Sequence, residues 1–193
     1  MEYIDIDAPY SFIGGGKISP EICDGVIDFY NTCDYLEQKE GECGGAGIDK
    51  DIKESIDLTI PRYIKDKRVT DYIDQLAEVT KNYCDFFTQL QSFEWDLLED
   101  FNIQCYPPGG GFKKLHCERA RNHASCNGRI MAWMTYLNDI EEGGETYFSQ
   151  QKAKVRPAKG LTLIWPADWT HMHHGIPAPN EEKMIITGWY DLI

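Results

Sequence analysis

The second half of the chain is cut into short apolar-alternating runs by prolines and glycines, and that texture limits the fold more than any other feature. Candidate strands are Phe101 to Tyr106, Phe112 to Glu118, Arg129 to Leu137, Glu145 to Phe148, Leu161 to Trp165, Thr170 to His174 and Lys183 to Tyr190. Breaks fall at Pro107-Pro108-Gly109-Gly110-Gly111, Gly143-Gly144, Pro166 and Pro177 to Asn180. Proline removes a ladder donor and glycine accepts turn conformations other residues avoid, so each break ends a strand. Many short strands at this spacing predict a sandwich or jelly roll.

The first third reads instead as helical and irregular scaffold. Ser19 followed by Pro20 is a helix start, with a capping hydroxyl and a proline at the first position. Ile22, Val26, Phe29 and Tyr30 then fall on one face. A longer helix is expected from about Val69 to Leu90, with Val69, Ile73, Leu76, Val79, Tyr83, Phe87 and Leu90 as its buried stripe. Gly41 to Gly47 is a loop without the spacing or following lysine of a phosphate-binding loop. Helices followed by strands, without regular alternation, suggest an α+β, mainly β chain in which a helical layer packs on the roll. At 193 residues this is one domain, with 1–100 as mostly helical support and 101–193 as the jelly-roll core.

Seven cysteines with no CxxC pair argue against a zinc knuckle or a closed disulfide framework, and fit free thiols in a reducing compartment. The acidic start, Met1 to Asp7, lacks a leader pattern, and no run approaches the ~20 apolar residues of a membrane span. The expectation is a cytoplasmic protein without membrane attachment. A net charge of −13 works against nucleic acid as a partner. Charge is uneven, however: Lys113, Lys114, Arg119, Arg121 and Arg129 bracket Glu118, either as a solvated flank or as a rim that attracts an anion.

His116-Cys117-Glu118 carries the chemistry. On a strand, side chains two apart share a face, so His116 and Glu118 can grip one metal ion while Cys117 points away and packs. One further histidine makes the two-histidine, one-carboxylate face that suits non-haem Fe(II) and leaves positions open. His171, His173 and His174 compete for that place. His171 and His173 share a strand face and His174 points oppositely.

Several ordered motifs over roughly Phe101 to Tyr190 resemble the prolyl 4-hydroxylase-like group of 2-oxoglutarate oxygenases. Cys105-Tyr106-Pro107-Pro108-Gly109-Gly110-Gly111-Phe112 leading into His116-Cys117-Glu118 is similar to that family's run before its iron strand. Tyr136 to Thr146 is similar to its central strand and turn, and His173-His174-Gly175 through Lys183 to Thr187-Gly188-Trp189-Tyr190 to its final hairpin.

The resemblance implies a double-stranded β-helix, the distorted jelly roll, with Fe(II) on His116, Glu118 and His173. His171 then stands behind the ligands or on the substrate side. Lys183 becomes the partner of the far carboxylate of the 2-oxoglutarate cosubstrate. Tyr136 matches a tyrosine that supports the same carboxylate, and Tyr106 one that lines the pocket. Alternation along the last strand puts Thr187 and Trp189 on the pocket wall beside Lys183 and Ile185. The implied activity is a procollagen-proline 4-dioxygenase-like hydroxylation of an unactivated C–H, using O2 and with ascorbate as a candidate reductant. A prolyl residue in a peptide or protein is the expected substrate, with Arg119 to Arg129 (including His123 and Asn127) and Gly41 to Gly47 as lids over it. Two other readings stay open: a small-molecule or nucleobase oxygenase of the same mechanism, and a catalytically silent metal-binding jelly-roll module. One departure is plain. Most of the family place Asp where Glu118 stands, and the extra methylene moves the carboxylate by ~1.5 Å.

Overall fold

Cap chemistry sets both helices. The computed structural model describes residues 4–5, 11–43, 47–119 and 124–193. Along the chain come β1 (Ile4–Asp5), β2 (Gly14–Lys17), α1 (Pro20–Thr32), β3 (Gln38–Glu40), β4 (Lys53–Glu54), β5 (Ile56–Ile60) and α2 (Lys67–Phe86). There follow β6 (Trp95–Asp96), β7 (Phe101–Tyr106), β8 (Gly111–Phe112), β9 (Arg129–Tyr136), β10 (Thr146–Phe148) and β11 (Ala153–Val155). The chain closes with β12 (Leu161–Pro166), β13 (His173–Gly175) and β14 (Lys183–Leu192). In α1 the Ser19 hydroxyl accepts from the Ile22 amide, Pro20 opens the helix, and Cys23, Val26, Phe29 and Tyr30 are buried. Asp66 caps α2 by accepting from the Arg68 amide, which starts that helix two residues before the apolar stripe does. At the other end Phe87 leaves helical geometry, and a short 3-10 turn over Thr88–Ser92 carries Leu90 onto the core in place of a continued helix. Arg68 joins the two helices through Asp28.

The strands form a large antiparallel sheet ordered β1-β2-β12-β9-β14-β7-β5-β3, with β6 added beside β14. A smaller sheet, β11-β10-β13, lies across one of its faces. Strand alternation gives each face of the large sheet its own role. On β9, Trp133 joins the core shared with α1 and α2. Ala132, Met134 and Tyr136 join a second core with Phe148 and Val155 of the smaller sheet. Thr135, on the helix side, bonds Tyr72 of α2 and Thr162 of β12, so the helical layer is pinned to the sheet by hydroxyls as well as by apolar packing. The expected jelly roll with a packed helical layer is the observed architecture.

The first hundred residues differ from expectation in detail. Helices supply most of their regular structure, but β2, β3 and β5 extend the large sheet and β4 pairs β8. Ile56 to Ile60 alternates apolar and polar residues, and its Leu58 and Ile60 are fully buried. β2 is read by backbone space instead. A Cβ at Gly15 would stand 1.8 Å from the Thr162 carbonyl oxygen, so only glycine lets this strand pair so closely with β12.

Candidate metal centre

His116 and Glu118 do not lie on a continuous strand. After β8 the chain bends, and only His116 pairs, in an isolated bridge with His173 whose two amide-to-carbonyl bonds are 2.9 and 2.8 Å. The next amides, of Glu118 and Arg119, both donate to the Ala167 carbonyl at the end of β12, which draws the segment out of any ladder. Thr170 to His174 departs in the same way. Trp169–His171 is a 3-10 turn and the strand starts at His173, so His171 and His173 share no pleated face.

Nonetheless His116, Glu118 and His173 converge, each offering a ligand atom within 4.8 Å of the others. Glu118 Oε1 is 3.1 Å from His173 Nε2 and 3.8 Å from His116 Nε2. Each ring turns its Nδ1 to a backbone carbonyl at 2.8 Å, Lys114 for His116 and His171 for His173. A carbonyl only accepts, so Nδ1 carries a proton and Nε2 is the ring atom that faces the centre. Phe112 stacks on the His116 ring at 3.8 Å, and Phe148 and Trp165 flank His173. Burial pushes His116 down to about 4, helped by His173, so it is neutral near pH 7. Burial works to raise Glu118. The two histidines facing it, His173 foremost, and the Trp189 indole outweigh it and hold the carboxyl at about 2. Two imidazoles and one carboxylate, all pre-aimed, suit a borderline divalent cation such as Fe(II).

His174 lies outside the cluster, its ring against Tyr147. His171 is buried rather than on the surface: its Nε2 bonds the Ser11 carbonyl at 2.7 Å and its Nδ1 the Thr170 hydroxyl at 2.9 Å. Cys117 is half-buried and its sulfur meets the Arg119 carbonyl at 3.5 Å.

The triad stands between two hollows. The inner cavity holds all three residues together with Tyr106, Thr146 and Lys183. Lys183 is 4 % exposed, and among the described residues its one hydrogen bond is to the Gly144 carbonyl at 3.2 Å. That carbonyl is presented by the Gly143-Gly144 turn, both of whose φ angles are positive (75° and 74°). The ammonium lies 4.9 Å from the Tyr106 ring centre and makes no ion pair among the described residues. Burial lowers it to about 8, with the charge of Glu145 acting the other way. A buried ammonium without a carboxylate is costly, so the cavity is built for an anion. Trp165 in the same wall has a buried indole N–H without a partner among the described residues.

The remaining pocket residues divide. The Tyr106 hydroxyl, in the cavity, donates to Gln104 Oε1 at 2.5 Å. Tyr136 stands one residue back: its hydroxyl meets the Thr146 hydroxyl at 2.6 Å, and Thr146 forms the wall. Thr187 donates to the Trp133 carbonyl, and Trp189 donates to Glu118. Of these, Thr146 and Gln104 were invisible in sequence, although Thr146 ends the Tyr136-to-Thr146 motif.

The outer groove shares His116, Glu118, Phe112, Gln104 and Trp189 with the inner cavity and opens past Glu42 and Cys43 on one side and Cys126 and Arg129 on the other. Its basic rim is largely neutralised. Arg129 is held by Glu99, Arg119 by Asp168 and Lys113 by Glu54. Residues 44–46 of the first expected lid lie outside the described residues. So do 120–123 of the second, with Arg121 and His123.

Residues 101–191, the span that carries both the triad and Lys183, match the model of the 2OG-Fe(II) oxygenase superfamily. Over that segment, a little under half of its length, the chain is similar to this superfamily. Among curated proteins the chain is similar to the human prolyl 4-hydroxylase subunit alpha-1, at 25% identity over 114 residues, 52% of this chain and 21% of that one. A probable prolyl 4-hydroxylase 9 of Arabidopsis thaliana is 31% identical over 83 residues, 32% of this chain and 29% of that one. The matches thus span about a fifth of the first relative's length. The fold of the chain is shared with a viral collagen prolyl hydroxylase of Paramecium Bursaria Chlorella virus-1, solved as a 2OG complex (TM-score 0.69, 18% identity, 97% and 99% of the two chains). It is also shared with a Trichoplax adhaerens prolyl hydroxylase solved with a hypoxia inducible factor oxygen degradation domain peptide fragment (TM-score 0.74, 17% identity, 95% and 84%).

Proposed function

We propose that this chain is an Fe(II)- and 2-oxoglutarate-dependent dioxygenase that hydroxylates a prolyl residue of a peptide or protein. The observation that carries the reading is the inner cavity, with two imidazoles and a carboxylate at one point of its wall and, at another, a buried lysine without an ion pair among the described residues. Bound together, iron, 2-oxoglutarate and O2 supply the oxidising equivalent for C–H hydroxylation, with succinate and carbon dioxide as the other products.

This chain's residues would bind and orient. His116, Glu118 and His173 hold the cation through Nε2, a carboxylate oxygen and Nε2. Lys183 neutralises the far carboxylate of the cosubstrate, with Thr146 beside it and Tyr136 bracing Thr146 from behind. Tyr106 closes the cavity over the lysine, and the Thr187 side chain shares its wall. Apolar walls from Met134, Ile185 and Phe112 exclude water around the anion. The outer groove is the path for substrate, since it meets the inner cavity at the triad, and the chain segments that contain Cys43 and Cys126 are its lids. Among the described residues no helix is long and apolar enough to cross a membrane, and no disulfide joins the cysteines. The free cysteines are in keeping with a reducing compartment such as the cytoplasm.

The likeness of this chain to the prolyl hydroxylases named above favours a prolyl substrate over a small molecule. A screen of proline-containing peptides with Fe(II), 2-oxoglutarate and ascorbate tests this. The expected result is a mass gain of one oxygen atom on proline, matched by succinate. Oxygen on another residue type, or on a free metabolite alone, would refute the prolyl assignment.

A further inference from the structure

The Trp189 indole N–H donates to Glu118 Oε2 at 2.6 Å, while the other oxygen, Oε1, faces both imidazoles. An indole nitrogen only donates, so Oε2 has a fixed partner and Oε1 is left for a cation. The indole is itself held. The Arg129 guanidinium carbon lies 3.5 Å from its ring centre. That guanidinium is tied to Glu99 at 2.6 and 2.5 Å and donates to the Glu118 backbone carbonyl at 3.1 Å. One arginine therefore fixes both the ring that grips the carboxylate and the backbone from which the carboxylate springs. Arg129 opens β9 and Trp189 lies near the end of β14, neighbouring strands of the large sheet, so the clamp rests on rigid elements.

We propose that Trp189, clamped by Arg129, is a positioning residue that makes Glu118 a one-oxygen metal ligand and so permits glutamate at this place. The reach of the longer side chain is absorbed by tethering its second oxygen to the indole, where a shorter carboxylate would fall short of that donor. The inference rests on the triad being the metal centre.

Anaerobic binding of Co(II), a spectroscopically visible stand-in for Fe(II), tests it by chelator competition and visible absorption, with folding followed by circular dichroism. Trp189→Phe keeps a ring for Arg129 but removes the donor. It should weaken Co(II) about 10- to 100-fold, as loss of a ligand's outer partner typically does, and alter the absorption bands. Arg129→Lys keeps charge opposite Glu99 without the planar stack, and should give a smaller loss in the same direction. In a cycle with Glu118→Asp, the double variant should lose little more than either single one, because both changes cut the same contact. Unchanged affinity and spectrum in Trp189→Phe, or losses that multiply independently in the double variant, would overturn the proposal. If Trp189→Phe does not fold, the Arg129→Lys and Glu118→Asp cycle gives the same decision. Wild-type protein that binds no Co(II) would instead sink the metal centre itself, and the clamp with it.

Discussion

Lys183 is the residue on which most of the chemistry can be tested. Its burial favours the neutral amine, and its charged form waits for an anion. Because its folded pKa sits at about 8, below the unfolded value near 10.5, the unfolded chain binds more protons between those limits. Stability of the cosubstrate-free protein should therefore rise with pH across that window, while affinity for 2-oxoglutarate should fall as pH climbs past about 8. The triad's Glu118, held at about 2, carries its charge throughout that range. Lys183→Met should weaken 2-oxoglutarate at least ~100-fold, from the ~3–5 kcal/mol of stripping one partner from a buried ion pair, and flatten the pH dependence. Titration calorimetry at several pH values checks both; an unchanged affinity would take Lys183 out of the pocket. The site's residues were legible unevenly, and for physical reasons. Identity and order exposed His116, Glu118, His173 and Lys183. The Trp189 contact to Glu118, the hydrogen bond of Tyr136 to Thr146 and the Arg129 stack are side-chain directions, which spacing does not encode.

Among elements, β14 matters most, since it carries Lys183, Thr187 and Trp189 and pairs with both β7 and β9. A Cβ at Gly188 would stand 2.4 Å from the Trp133 ring and 2.8 Å from the Phe101 Cβ, with Trp133 already packed against Tyr72. Gly188→Ala should cost about 1–3 kcal/mol by overpacking, measurable by urea denaturation, and should also loosen metal binding through its neighbour Trp189. The helix-to-sheet contact is tested by Tyr72→Phe, which removes one buried hydroxyl while Thr135 and Thr162 keep each other; the expected loss is about 1 kcal/mol. Element boundaries show where sequence reasoning stops. The strands from Phe101 onward follow from alternation and breaks. The Thr170 to His174 segment does not, because the 3-10 turn is decided by the Asp168 carbonyl accepting the His171 amide, a bond no periodicity reveals. The five-residue β5 was readable from its alternation, whereas β2 is three glycines and a lysine whose only argument is backbone proximity.

At the scale of the molecule, two faces of one sheet separate stability from chemistry. The helix-side core, with Trp133, Leu76 and Phe29, holds the fold, and the opposite face with Met134, Tyr136 and Ile185 encloses the site. Changes deep in the helical layer should therefore lower stability with little effect on cosubstrate affinity in the folded fraction. The central claim is that metal and cosubstrate bind as a unit in the inner cavity. It is tested most directly by anaerobic 2-oxoglutarate binding with and without Fe(II), in wild type, His173→Ala and Lys183→Met. Tight binding in wild type only when Fe(II) is present, and weak binding in both variants, is the expected result. Binding of 2-oxoglutarate that is indifferent to the metal, to His173 and to Lys183 would contradict the account.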